Sequence, residues 1–252
     1  MKFYGATNTG LVRTVNEDSF AVLELARNAC LLVVCDGMGG LSYGDKASKI
    51  AVETFVSKIR TAVTPFIYRD ELSNFNESRV SSALGNAISC ANESVISSAA
   101  EIKDFSGVMG STLVGILIVD SVAYVVNVGD SRAYAAYGKQ LMQITKDHSY
   151  VRLLVDDGLI TEEEALTHPK RNVITRAIGI SPEVNADLFK VNLSRGCRLM
   201  LCSDGLSGFA DIKDIGMTML SDASVEDVCN ELITHALAAG GGDNVTVVVC
   251  DF

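Results

Sequence analysis

Proline is scarce in this chain: three residues in 252, none of them in a stretch rich in serine. The usual composition of a linker is therefore missing, and no internal repeat or low-complexity segment divides the sequence. One domain over 1–252 is expected, long enough to bury a large core. No apolar run approaches the roughly 18 residues of a membrane span. The chain opens on strand-like KFYGAT, without the basic and apolar regions of a signal peptide. Basic charge is also in short supply. A formal net charge of −10 argues against nucleic acid, whose binding face needs a basic patch, and as weakly against an anionic membrane. The expectation is a cytoplasmic monomer that binds neither.

Histidine is rare too, and His148, His168 and His235 lack the spacing of metal ligands. The seven cysteines, at 30, 35, 90, 197, 202, 229 and 250, contain no CxxC. Most lie inside apolar runs, where a thiol packs as a small hydrophobe. They read as reduced core cysteines of a cytosolic protein, with no disulfide or zinc framework. A metal held by this chain is then oxygen-bound, magnesium or manganese rather than zinc.

What the chain does have is an apolar strand that ends in aspartate, three times over. LLVVCDGMGG leads to Asp36, VAYVVNVGDSR to Asp130 and LMLCSDG to Asp204; GGGDNVTVVVC places Asp243 just before its strand. A strand end in a packed sheet is a stiff mount, and a neighbouring glycine admits a ligand close to the backbone. Four acids so placed repel one another, and desolvation raises their pKa values, unless cations lie between them. Near the start, RTVNED adds Glu17 and Asp18 to the acids and Arg13 as a planar, permanently charged fork for phosphate oxygens. Singly, an Asp-Gly turn or an arginine beside carboxylates is more often structural. The joint pattern points to hard metal ions.

Nearly continuous apolar runs at 31–35, 113–119, 122–128, 199–202 and 245–250 predict strands covered on both faces. Asp120-Ser121 separates two of them by a hairpin's length, so that pair is antiparallel, and a second hairpin is expected at Gly138-Lys139. Helical stripes run through Ala47, Ile50, Ala51, Thr54, Phe55 and Ile59, and through Val80, Ala83, Leu84, Ala87, Ile88, Ala91 and Val95. A third helix starts at Ser224, with Asp227 in capping-box position. The class is α+β, stacked antiparallel sheets flanked by helix layers.

These residues resemble a family, the metal-dependent serine/threonine protein phosphatases of type 2C (PPM), in their bacterial form. RTVNED (13–18), DGMGG (36–40), GST (110–112), NVGDSR (127–132), TKDHS (145–149), NVITRAIG (172–179), CSDGL (202–206) and GGDNVT (241–246) look like its successive blocks, in order. The resemblance implies a four-layer αββα fold, a central β-sandwich flanked by helix pairs. It implies hydrolysis of phosphoserine and phosphothreonine in proteins by a metal-activated water, opposing a cellular Ser/Thr kinase. Asp36 would bridge two manganese or magnesium ions, with Asp204 and Asp243 at the first. Glu17 and the Gly37 carbonyl would serve the second, with Asp18 holding one of its waters. Asp130 and Asp204 would hold a third, weaker ion, and Arg13 would grip the substrate phosphate.

One position departs from the eukaryotic pattern. Met38 stands where many members carry a histidine proposed as the general acid, and methionine cannot donate a proton. His148 in TKDHS is a candidate donor, with a structural role opening the next helix as the stronger reading. Residues 147–172 resemble the flap of bacterial members, two short helices of which the second starts at Thr161 with Glu164 in capping-box position. Its acids, Asp156, Asp157, Glu162, Glu163 and Glu164, fit a solvated face or a device that chooses substrates. Two other functions remain open at this point: a catalytically idle phosphoprotein-binding relative, and a metal-dependent phosphodiesterase.

Overall fold

Two apolar runs, Leu113–Val119 and Val122–Val128, pair antiparallel with Val119 opposite Val122. Asp120 turns the chain between them at φ 53°, a left-handed conformation that aspartate tolerates better than most residues. In chain order the strands are β1 (Lys2–Asn8), β2 (Asp18–Ala26), β3 (Ala29–Met38), β4 (Gly110–Ser111), β5 (Leu113–Val119) and β6 (Val122–Val128). They continue with β7 (Arg132–Tyr137), β8 (Gln140–Gln143), β9 (Asp187–Asn192), β10 (Arg198–Cys202) and β11 (Val245–Asp251). The helices are α1 (Tyr43–Tyr68), α2 (Glu77–Ala100), α3 (Tyr150–Asp156), α4 (Glu162–Thr167), α5 (Asp204–Ser207), α6 (Ile212–Met219) and α7 (Val225–Ala238). This computed structural model describes residues 1–39, 43–69, 71–103 and 107–252; the last glycine of DGMGG, Gly40, falls outside them.

One sheet runs β1-β11-β10-β7-β8 and the other β2-β3-β5-β6-β9, with β4 paired to β3. Period-two alternation sorts the apolar side chains into separate layers. In β3, Leu31, Val33 and Cys35 face α1 and α2, while Cys30, Leu32 and Val34 face the opposite sheet. Ala47, Ala51, Phe55 and Ile59 of α1 and Val80, Leu84, Ala87, Ala91 and Val95 of α2 fill the first layer. Ile215 and Met219 of α6, with Val228, Leu232 and Ala236 of α7, cover the outer face of the other sheet. The architecture is helix–sheet–sheet–helix, as expected.

The predicted hairpin at Gly138-Lys139 forms, with Tyr137 opposite Gln140 and Gly138 at φ 63°. Thr161 and Glu164 make the full reciprocal capping box at α4. At α7 the Ser224 side chain accepts from the Asp227 N–H, while the Asp227 carboxylate accepts from the Ser224 hydroxyl at 2.7 Å. All seven cysteines are free, six buried and Cys90 half-buried. Among the described residues no helix is long and apolar enough to cross a membrane.

Candidate metal centre

Asp18 and Asp36 stand opposite each other in the β2–β3 pair. Asp36 lies inside its strand, because β3 continues to Met38 and pairs Gly37 with Ser111 of β4. The expectation of a strand ending at aspartate is corrected here: what ends is the pairing with β5, at Val34. The other three acids do sit just off strands. Asp130 follows β6, Asp204 opens α5 after β10, and Asp243 precedes β11.

A girdle of hydroxyl and amide side chains ties these segments together. Ser203 Oγ and Thr246 Oγ1 each donate to Asp18 Oδ2 at 2.7 Å, joining β2 to the ends of β10 and β11 across the sandwich. The Thr112 hydroxyl accepts from the Asp36 N–H at 2.9 Å and shares a 2.7 Å hydrogen bond with Ser131, beside Asp130. Asn244 Oδ1 accepts from the Glu17 N–H at 2.8 Å, and its Nδ2 donates to the carbonyls of Thr9 and Val15, which pins the loop carrying Arg13. Gly37 is hemmed by backbone: a Cβ there would lie 2.0 Å from the Gly44 oxygen and 2.5 Å from the Glu17 oxygen. None of these supports carries a role predicted from the sequence. The clue was adjacency, since Ser131, Ser203, Asn244 and Thr246 each stand within three residues of a predicted acid.

Electrostatically the site is frustrated. Burial, and after it the charges of Asp204, Asp18 and Asp130, hold the Asp36 carboxyl well above the usual carboxylate range. Burial likewise raises Asp204 and Glu17, and pushes Asp18 up to about 7 and Asp130 to about 8. Asp18 Oδ1 and Asp204 Oδ1 are buried without a hydrogen-bond partner. Orphaned carboxylate oxygens of this kind are costly unless a cation meets them. Among the described residues no three His, Cys, Asp or Glu side chains stand together as a ready-made set of ligands for one ion. The donor set is nonetheless all oxygen and mostly anionic, which fits magnesium or manganese and does not suit a soft metal.

The remaining sequence-predicted residues fall as follows. Arg13 is exposed, and its Nη2 donates to Asp243 Oδ2 at 2.8 Å. Met38 is half-buried at the end of β3. His148 is buried, with Nδ1 accepting from the Gly129 N–H and Nε2 directed at Asp187; its hydrogen bonds mark a structural histidine. A cavity of about 710 Å³ is lined by Asp130, Asp204 and Asp243 together with Val151, Val155 and Leu166 of α3 and α4. Arg152 links the two short helices through Asp156 and Glu162. Of the acidic run, Asp156, Glu162 and Glu164 are thus engaged in local bonds, and Glu162 and Glu163 line the cavity.

Residues 12–241 match the protein phosphatase 2C family. The serine/threonine phosphatase stp of Listeria welshimeri is 34% identical over 245 residues, covering 97% of this chain and 93% of that protein. The serine/threonine phosphatase Stp1 of Staphylococcus aureus superposes with a TM-score of 0.87 at 35% identity, over 100% of this chain and 94% of the other. The catalytic domain of the serine/threonine protein phosphatase PstP, solved with two manganese ions, superposes at 0.82 and 34% identity, over 99% and 97%. With a family match over most of its length and full-length relatives of the same fold, the chain belongs to the protein phosphatase 2C family.

Proposed function

We propose that this protein is a cytoplasmic, metal-dependent protein-serine/threonine phosphatase that reverses a cellular Ser/Thr kinase. The observation that carries the reading is the convergence of Glu17, Asp18, Asp36, Asp130, Asp204 and Asp243 with two buried, partnerless carboxylate oxygens among them. Manganese or magnesium ions bound there would activate a water and offset charge on the phosphoryl oxygens. Asp36 is assigned to both core ions, Asp204 and Asp243 to the first, and Glu17 with the Gly37 carbonyl to the second. Asp18, fixed by Ser203 and Thr246, keeps one oxygen free to orient a water. Asp130 with Asp204 is assigned to a weaker third ion. Arg13 leaves Asp243 to take two phosphate oxygens of the substrate.

Residues 1–252 act as one catalytic unit and as a monomer, with 147–172 as a flap that lines the cavity. The acidic balance and the likeness to named protein phosphatases favour phosphoproteins over nucleic acid as substrate. Phosphate release from a phosphothreonine peptide, measured after chelation and after manganese is restored, tests the reading. Manganese-dependent cleavage of a nucleic-acid diester in preference to the peptide contradicts it.

A further inference from the structure

Gly129 immediately precedes Asp130, and both of its backbone polar atoms are held. Its N–H donates to His148 Nδ1 at 3.1 Å. Its carbonyl accepts from the His148 backbone N–H at 2.9 Å and from Asn127 Nδ2 at 3.1 Å. Gly129 lies at φ +112°, and a Cβ there would fall 2.6 Å from Thr112 Cγ2, so the turn has one narrow slot. His148 is itself fixed. Because Nδ1 accepts, the neutral ring carries its proton on Nε2, which faces both Asp187 Oδ2 at 3.2 Å and Arg176 Nη1 at 3.1 Å. Arg176 Nη1 braces the same Asp187 at 2.8 Å, and the His148 carbonyl accepts from the Thr175 N–H at 2.7 Å. The neighbouring Asp147 grips Arg132 Nη2 at 2.7 Å on the other flank of the turn. Adjacent residues of one strap therefore clasp both sides of Asp130-Ser131.

We propose that His148 is a positioning residue that aims the Asp130 carboxylate by holding the Gly129 peptide through Nδ1. This rests on the assignment of Asp130 to a weak third ion. A site with only two protein carboxylates has little binding energy with which to order a loose turn, so the turn must be ordered beforehand. His148 does this from behind, without touching substrate.

Two substitutions separate the grip from the rest of the histidine. His148→Asn keeps an acceptor at the position of Nδ1 and gives up the contact with Asp187. His148→Gln keeps a polar group near the position of Nε2 and gives up the acceptor for Gly129. Three readouts apply: hydrogen exchange of the Gly129 amide in metal-free protein, calorimetric titration with Mn²⁺, and kcat on a phosphothreonine peptide against p-nitrophenyl phosphate. For His148→Gln we expect faster Gly129 exchange and a loss of roughly 10–100-fold in affinity at the weakest Mn²⁺ site, the size seen when an outer-shell partner is removed. The two tighter sites should be unchanged, and kcat should fall more on the peptide than on p-nitrophenyl phosphate. His148→Asn should stay close to wild type in all three. Wild-type Mn²⁺ binding by His148→Gln, or equal loss in both variants, overturns the positioning role. Asp130→Ala with every Mn²⁺ site intact instead overturns the ligand assignment beneath it.

Discussion

Arg13 Nη2 donates to Asp243 Oδ2 at 2.8 Å, so the residue assigned to the substrate phosphate is paired with one assigned to a metal. The arginine side chain is 51% exposed. An ion pair this open to water contributes little to stability, on the order of 1 kcal/mol or less, and can be exchanged for a phosphate at small cost. On the proposed assignment, the surface ion pair and the phosphate clamp are two engagements of one side chain.

Arg13→Ala should raise KM more than it lowers kcat, because the grip acts in the ground and transition states alike. A charge-assisted bidentate contact contributes about 2–3 kcal/mol, so kcat/KM should fall on the order of 30- to 150-fold. Arg13→Lys should recover only part, since an ammonium offers a point charge where the guanidinium offers a fork. Steady-state kinetics on a phosphothreonine peptide checks this. An unchanged KM for Arg13→Ala leaves only the ion pair with Asp243.

Asp130→Ala should keep the two core ions and still bind phosphopeptide, yet lose most of its kcat. Met38 offers no proton to the leaving alkoxide, and the bonds of His148 to Gly129 and Asp187 commit both its ring nitrogens elsewhere. If the third ion supplies that proton through its water, the loss should be smaller for p-nitrophenyl phosphate, whose leaving group needs little protonation. Equal losses on both substrates remove that role. Loss of the core ions makes Asp130 a structural ligand.

Asn92 is 1% exposed in α2. Its Oδ1 accepts from the Gly179 N–H at 2.7 Å and its Nδ2 donates to the Ser181 and Pro182 carbonyls at 2.8 and 3.3 Å. Asn92→Ala leaves those backbone groups short of partners and should cost about 2–3 kcal/mol in urea unfolding. A change below roughly 0.5 kcal/mol would show that the loop re-pairs without it.

Cys90 is the least buried of the seven thiols. Alkylation of the native, reduced protein should mark Cys90 first, and the other six only on unfolding. Burial raises the Cys35 and Cys202 thiols, which removes the thiolate that an alkylating agent attacks. Labelling of Cys35 at the rate of Cys90 would show that the α1–α2 layer lifts off its sheet in the native state.

The parts of the fold that could be read beforehand carry strong periodicity. β5, β6 and their hairpin are continuous apolar runs, α1 and α2 keep one clean stripe each, and Thr161/Glu164 announces α4. β9 was not anticipated. It is an edge strand whose residues alternate between half-buried and exposed, so DLFKVN has no apolar run to mark it. The acids of the site stood out because aspartate beside glycine at the end of an apolar run is chemically costly. Ser131, Ser203, Asn244 and Thr246 did not stand out, since a hydroxyl or amide near a turn is ordinary; their role depends on strands distant in sequence being neighbours in the sheets. The Gly129–His148 clasp was hidden for the same reason, joining residues 19 apart across a hairpin.

Asp36 tests the central claim most directly. It is the one carboxylate assigned to both core ions, and Asp18, Asp130 and Asp204 crowd it. The decisive measurement is manganese-dependent release of phosphate from a phosphothreonine peptide by Asp36→Ala, beside wild type and with circular dichroism to confirm the fold. The predicted result is a folded protein with no manganese-dependent turnover, while chelator silences the wild type and manganese or magnesium, but not zinc, restores it. Near-wild-type turnover by folded Asp36→Ala would contradict the two-metal account.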